Sequence, residues 1–140
     1  FDDVRLFDAG REYHPRQAGD GVDADGLPVE RRVVSLLRSA RAFFYEATEE
    51  AYETLLAGNE LSVEQRASLR LASTNAARAG ADVTLAVYRL SGTTGIEADH
   101  MIARHMQDAM VVPQHSFLSD GTWQNAGRVL LGLDAPAGFP

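Results

Sequence analysis

Histidine is the side chain in this sequence best suited to acid–base or metal chemistry near neutral pH. The four histidines are His14, His100, His105 and His115, and the chain has no cysteine. The lack of cysteine excludes thiolate nucleophiles, disulfide frameworks and cysteine-bound zinc or iron–sulfur clusters. All 13 basic residues are arginine, which also excludes lysine-dependent phosphate loops and Schiff bases. Any chemistry must therefore come from carboxylates, histidines, hydroxyls or a bound cofactor.

The spacing of potential metal ligands is incomplete. Glu97 and His100 stand three residues apart, which is half of the pattern of a di-iron carboxylate site in a helical bundle. The second Glu-x-x-His is missing, and His100 and His105 are five residues apart, which does not match paired zinc ligands on a helix. The aspartates of residues 20–25 lack the glutamate that closes a calcium loop. The sequence therefore predicts no metal site.

A second group of polar residues lies further along the chain. Arg104 and Asp108 are four residues apart, and His115 follows Arg104 by eleven residues. Eleven residues are close to three full helical turns, so all three side chains would share one stripe of a continuous helix. Spacing alone favours an ordinary surface ion pair, which contributes only about 0.3–0.5 kcal/mol, and a surface histidine.

Two long helices are predicted to precede this group. Apolar residues recur at helical spacing over 29–57 and again over 63–91. Gly58 ends the first helix in a left-handed conformation, and Ser62 with Gln65 forms a capping box at the start of the second. The second helix would be roughly 45 Å long at 1.5 Å per residue. Helices of this length are typical of bundles.

Two shorter helices are predicted to follow. Thr94 and Glu97 have the spacing of another capping box, which predicts that a third helix begins there and stops or kinks before Pro113. A fourth helix is expected after Ser119 or Asp120. No segment beyond the first few residues alternates with the period of a strand. The predicted fold class is all-α, an antiparallel up-down bundle of four main helices.

Length and composition indicate one globular domain, because 45% of the 140 residues are hydrophobic and 24% are charged. We expect a loop or linker over 1–28, a remnant of a longer chain, then a helical bundle over 29–133 and a tail over 134–140. The net charge of −7 without a basic block argues against nucleic acid or an anionic membrane as partner. No apolar run could span a bilayer and no signal-peptide pattern opens the chain, so we expect a cytoplasmic location.

Four short motifs follow one another in the second half of the chain. They are residues 88–92 (YRLSG), 104–108 (RHMQD), 113–115 (PQH) and 126–133 (AGRVLLGL). This succession resembles the C-terminal helical domain of the acyl-CoA dehydrogenase superfamily. More narrowly, it resembles the branch that holds the two-component flavin-dependent monooxygenases. The resemblance covers roughly residues 30–135 in order and spacing, and this chain has Gln107 where the family pattern usually has a second arginine.

The resemblance implies a flavin site, for FAD or FMN, that is built between this bundle, other domains and a neighbouring subunit. It implies that Ser91, Gly92, Arg104 and Asp108 lie near the flavin. It also implies that His115 lies near the reactive edge of the flavin and acts as the catalytic residue. The chain alone is then expected to be inactive, because the other two domains of the site are not part of it.

The resemblance also separates two chemistries. Acyl-CoA dehydrogenases would take a proton with a glutamate about eight residues after the Arg-Asp motif. This chain has Ser116 there, beside His115, and residues 120–122 (DGT) come four residues late. Serine is too weak a base for this step, whereas histidine can donate a hydrogen bond or accept a proton near neutral pH. The resemblance therefore favours a monooxygenase that uses reduced flavin and O₂ on a small-molecule substrate.

Two alternatives stay open at this stage. One is an acyl-CoA dehydrogenase, which carries out FAD-dependent α,β-desaturation, with a displaced base. The other is a non-catalytic helical oligomerisation module, because small residues on the second helix would let a neighbouring helix approach closely. These small residues are Ala76, Ala77, Ala79, Gly80 and Ala81. As partners we expect further copies of the chain in a homo-oligomer, a tetramer, and a separate flavin reductase.

Overall fold

The structure is a computed structural model that describes residues 29–97 and 100–140. These residues form four α-helices and no strand, which confirms the all-α prediction. The helices are α1 (Val29–Leu56), α2 (Val63–Leu90), α3 (Met101–Val111) and α4 (Gly121–Leu130). Short 3-10 turns occupy Gly92–Ile96, Val112–Gln114 and Ser116–Leu118. The expected linker over 1–28, with His14 and its aspartates, lies outside the described residues.

The connection between α1 and α2 forms as its sequence predicts. Gly58 has a φ of +78°, the left-handed conformation that lets the chain reverse after α1. The Ser62 hydroxyl accepts a hydrogen bond from the Gln65 N–H at 3.1 Å, and the Gln65 side-chain oxygen accepts one from the Ser62 N–H at 3.1 Å. Gln65 Nε2 also donates to Thr54 Oγ1 at 2.7 Å. The capping box is therefore confirmed, and it joins the start of α2 to the end of α1.

Helix α2 is the central element of the fold. The helices α1, α3 and α4 each pack against α2, while within the described chain α1 has no close backbone contact with α3 or α4. The buried residues of α1 and α2 are mostly alanines, whose short side chains allow helices to approach closely. They are Ala40, Ala47, Ala51, Ala67, Ala72, Ala79 and Ala81.

Many large apolar side chains stay exposed in this arrangement. Leu56 is 69% exposed at the end of α1, Ile96 is 71% exposed before α3, and Leu131 is 78% exposed after α4. The four helices therefore do not close around one common core within the described chain. None of the described helices is both long and apolar enough to cross a membrane.

The beginning of α3 differs from the prediction. The helix does not begin at 94–97: a 3-10 turn occupies Gly92–Ile96, and α3 begins after His100, whose Nδ1 accepts a hydrogen bond from the Ile102 N–H at 3.3 Å. Gly95 is buried in this turn, and a side chain at its position would collide with the side chain of Ser91. The predicted start of the helix at 94–97 is wrong, because the N-cap of α3 lies at His100.

Candidate flavin-facing site

His115 lies in the turn between two 3-10 segments, Val112–Gln114 and Ser116–Leu118. Its side chain is exposed, and its Nδ1 accepts a hydrogen bond from the Phe117 N–H at 3.2 Å. The two rings are tilted by 55° with centroids 5.3 Å apart. Because Nδ1 acts as an acceptor, the neutral imidazole carries its proton on Nε2. His115 therefore has an Nε2–H group available to donate a hydrogen bond to a ligand.

Arg104 and Asp108 lie one turn apart on α3. Arg104 Nε is 3.9 Å from Asp108 Oδ2, and the two side chains are 83% and 72% exposed. An ion pair so long and so exposed contributes little to stability. Both charged groups therefore remain accessible to a ligand.

The structure brings Arg104 and Asp108 together but does not join His115 to them. Helix α3 ends at Val111, and the following residues form a 3-10 turn that contains Pro113. The stripe expected for a continuous helix is therefore absent, because the helix does not run as far as His115. Within the described chain His115 makes no hydrogen bond or ion pair with either residue of the pair.

Ser91 and Gly92 form the turn at the end of α2. The Ser91 N–H donates to the Val87 carbonyl at 3.0 Å, and the Ser91 hydroxyl donates to the Tyr88 carbonyl at 2.6 Å. Gly92 is exposed with a φ of +57°, a conformation that favours glycine. The Ser91 hydroxyl oxygen can still accept a hydrogen bond, and the bare backbone of Gly92 allows close approach of a ligand.

Two arginines of α2 contact the segment of residues 112–122, hereafter the His115 segment. Arg70 Nη1 donates to the Phe117 carbonyl at 3.4 Å, and Arg70 Cζ lies 4.4 Å from the centroid of the Phe117 ring. Arg78 Nη2 pairs with Asp120 Oδ1 at 2.7 Å. Sequence analysis missed both arginines, because no local spacing links Arg70 to a residue 47 positions away.

Asp120, the first residue of the DGT motif at 120–122, forms an ion pair with Arg78. Asp120 occupies the N-cap position of α4, as expected, but its side chain makes no capping hydrogen bond. Its carboxylate contacts the Arg78 guanidinium instead, and the buried Arg78 Nε has no hydrogen-bond partner in the described chain. Asp120 is therefore held as an ion-pair partner, which makes it a poor substitute for the dehydrogenase glutamate.

Two open depressions lie elsewhere on the surface. One of about 270 Å³ is lined by Tyr45, Thr48, Glu49 and Tyr52 of α1. The other, of about 210 Å³, lies between the small residues of α2 and the end of α3. Neither contains a predicted site residue. Among residues 29–97 and 100–140, no three histidine, aspartate or glutamate side chains are grouped so as to hold a metal ion.

The predicted site residues fit one side of a flavin. The accessible Arg104 guanidinium suits a phosphate group. The outward Nε2–H of His115 suits an oxygen atom, and Gly92 leaves room for a flat ring system or a phosphate near the backbone. The two depressions described above do not include these groups, so we expect the described chain to provide one wall of such a site.

Comparison with known proteins identifies the family to which this chain belongs. Residues 32–120 match the family model described as the C-terminal domain of acyl-CoA dehydrogenase. The chain belongs to the acyl-CoA dehydrogenase family. The resemblance given by the four motifs is thus confirmed, and membership implies a flavin as the cofactor.

Two curated relatives of this acyl-CoA dehydrogenase domain have the same name. An indole-3-acetate monooxygenase from Pseudomonas putida is 48% identical over 103 residues, which make up 74% of this chain and 26% of that protein. A protein of the same name from Acinetobacter baumannii is 38% identical over 102 residues, or 73% of this chain and 26% of that protein. The chain spans about a quarter of the length of these relatives. Their names agree with the monooxygenase branch that the motifs resemble.

Proposed function

We propose that this chain is the C-terminal domain of a flavin-dependent monooxygenase that hydroxylates a small substrate with O₂. The observation that carries the proposal is the 48% identity to a protein named indole-3-acetate monooxygenase. The presence of His115 beside Ser116, where a dehydrogenase would have its glutamate, supports the same reaction. A reduced flavin would supply the electrons that activate O₂.

The residues of this chain would bind and orient the reacting groups. His115 would donate a hydrogen bond from Nε2 towards the reacting oxygen, which is a catalytic role. Arg104 would bind a phosphate of the flavin cofactor, and Asp108 would hold the guanidinium in place. Ser91 and Gly92 would contact the flavin through the hydroxyl oxygen and the exposed backbone.

The substrate proposed for the first test is indole-3-acetate, the compound in the names of both relatives. We also propose that the protein forms a homo-oligomer, a tetramer, in the cytoplasm and receives reduced FAD or FMN from a separate reductase. The exposed apolar residues Leu56, Ile96 and Leu131 support an assembly of this kind, because burying them would stabilise it.

The test uses the full-length protein that contains this chain. It is supplied with reduced FAD or reduced FMN, and O₂ uptake and product mass are measured with and without indole-3-acetate. A short acyl-CoA with an artificial electron acceptor tests the dehydrogenase alternative in parallel. Substrate-dependent O₂ uptake with a product heavier by one oxygen atom supports the proposal. Dye reduction by the acyl-CoA without oxygenation would overturn it, and failure to bind any flavin would favour the oligomerisation module.

A further inference from the structure

Phe117 connects α2 to His115. On one side, its carbonyl and its ring both contact Arg70, at 3.4 Å from Nη1 and 4.4 Å from Cζ. On the other side, its N–H donates to His115 Nδ1 at 3.2 Å, and its ring lies against the imidazole. A continuous series of contacts therefore runs from the guanidinium of Arg70 through one residue to the imidazole of His115.

We propose that Arg70 is a positioning residue for His115 and acts through Phe117. The proposal rests on the proposed function, because it assumes that His115 acts in catalysis. Arg70 is well placed for this role, since it is half-buried on a long helix while Phe117 lies in a three-residue 3-10 segment. A rigid helix thereby fixes a segment that has little regular structure of its own.

Burial does not explain how Phe117 is held, because its side chain is 61% exposed. Its position depends instead on directional contacts: the Arg70 guanidinium and the Thr122 hydroxyl, which donates to the same carbonyl at 3.1 Å. Removing the guanidinium takes away the contact with the ring and one of the two donors. The backbone N–H of Phe117 is then held less firmly, by the Thr122 hydroxyl and by the turn in which the Leu118 N–H donates to the His115 carbonyl at 2.8 Å.

The direction of that N–H decides which nitrogen of His115 carries the proton. While the Phe117 N–H points at Nδ1, only the tautomer with the proton on Nε2 fits. Once Phe117 is held less firmly, we expect the imidazole to rotate more freely and to exchange between its two tautomers. Arg70 therefore keeps the Nε2–H of His115 pointing outward as a hydrogen-bond donor, although Arg70 itself need not touch the flavin or the substrate.

The first test is a double-mutant cycle in the full-length protein. Arg70→Gln is expected to lower the product formed per reduced flavin by about tenfold, because misplacement of a catalytic group lowers the rate. Flavin affinity should stay within about twofold of the wild type, since Arg70 acts on His115 rather than on the cofactor. In the His115→Ala background, Arg70→Gln should cause no further loss, because the residue it positions is gone.

Two further variants separate positioning from a general structural effect. Arg70→Lys should restore part of the product yield, because an ammonium group can still contact the ring and the carbonyl but lacks the planar fork. Arg66→Gln is the matched control: Arg66 lies one turn earlier on α2, is exposed, and makes no described side-chain contact with the His115 segment. It should leave the product yield unchanged.

The second test needs no flavin. Histidine-selective ¹⁵N labelling of the full-length protein reports the tautomer of each imidazole, and the His115 signals are identified by their loss in His115→Ala. The wild type should show the proton on Nε2, and Arg70→Gln should show exchange between both tautomers.

The outcomes distinguish the positioning role of Arg70 from the catalytic role of His115 on which it rests. An additive loss in the double mutant, or an unchanged tautomer of His115 in Arg70→Gln, would overturn the role of Arg70. If His115→Ala alone leaves the product yield unchanged, the catalytic assignment of His115 fails instead. In that case the ¹⁵N signals still decide whether Arg70 orients the imidazole.

Discussion

At the scale of single residues, His115 combines exposure with a fixed ring. Replacing it by alanine should leave folding nearly intact, because the side chain is exposed at the end of a 3-10 turn. We expect His115→Ala to lower coupled product formation by about 10²-fold or more, the usual effect of losing a positioned acid or base. Product yield and the melting temperature of the full-length protein measure the two effects. His105→Ala, on the exposed side of α3, is the control, and equal turnover in both variants would contradict the catalytic role.

Replacing Arg104 should weaken flavin binding rather than slow the reaction itself. Its guanidinium is 83% exposed and only loosely paired, so Arg104→Ala changes stability little. Loss of a charge-assisted contact to a flavin phosphate should weaken flavin affinity by about tenfold or more. Titration of the full-length protein with flavin, followed by fluorescence, measures this change. The exposed Arg66→Ala serves for comparison, and an unchanged Kd in Arg104→Ala would remove the residue from the site.

At the scale of elements, the capping box of α2 is a discrete source of stability. Ser62→Ala removes the acceptor for the Gln65 N–H and should lower the free energy of unfolding by about 1 kcal/mol. Chemical denaturation measures the difference. Ser35→Ala, at an exposed position inside α1, should be neutral or slightly stabilising because alanine favours helix. A Ser62→Ala variant as stable as Ser35→Ala would show that the cap contributes nothing.

Glu64, in the first turn of α2, makes the stability of the fold depend on pH. Its backbone N–H and then the Ser62 hydroxyl donate hydrogen bonds to the carboxylate and lower the pKa of Glu64 below its ordinary value of 4.5, with burial opposing slightly. A lowered pKa in the folded state stabilises the fold above the pKa of the unfolded chain, and this contribution is lost as the pH falls through the folded pKa. The wild type should therefore be more stable than Glu64→Gln at pH 7. This difference should disappear below pH 4.5 as acid is added. A difference that persists or grows under acid would contradict the assignment.

Elements also differ in how well the sequence predicts them. The long helices end within a residue or so of the predicted bounds, because caps such as Ser62 and Gly58 act locally. The start of α3 is predicted too early, because the Thr94–Glu97 spacing does not reveal that the chain forms a 3-10 turn over Gly92–Ile96 before the helix begins. The contacts of Arg70 and Arg78 could not be predicted, for a different reason. Their partners lie far along the chain, and no periodicity indicates them.

At the scale of the whole molecule, exposed apolar surface predicts assembly. Leu131, Ile96 and Leu56 are each more than two-thirds exposed, and burying such large apolar side chains against a partner would stabilise an assembly. The 140-residue chain by itself should therefore self-associate as its concentration rises and should bind a hydrophobic dye. Analytical ultracentrifugation across a range of concentrations measures the association. A chain that stays monomeric throughout and binds little dye would argue against an oligomer.

The central position of α2 has a consequence for how the domain opens. Because α1 has close backbone contacts with α2 but not with α3 or α4 in the described chain, we expect α1 to detach without disturbing how α3 and α4 pack on α2. We therefore expect local unfolding in two cooperative units, with the exchange of the α1 amide protons controlled by the α1–α2 interface. If a flavin binds at the end of α2 and along α3 as proposed, it should slow exchange around His115 and leave the exchange of α1 as it was. The fold would thereby separate the helix that opens most easily from the part of the domain to which we assign the proposed site.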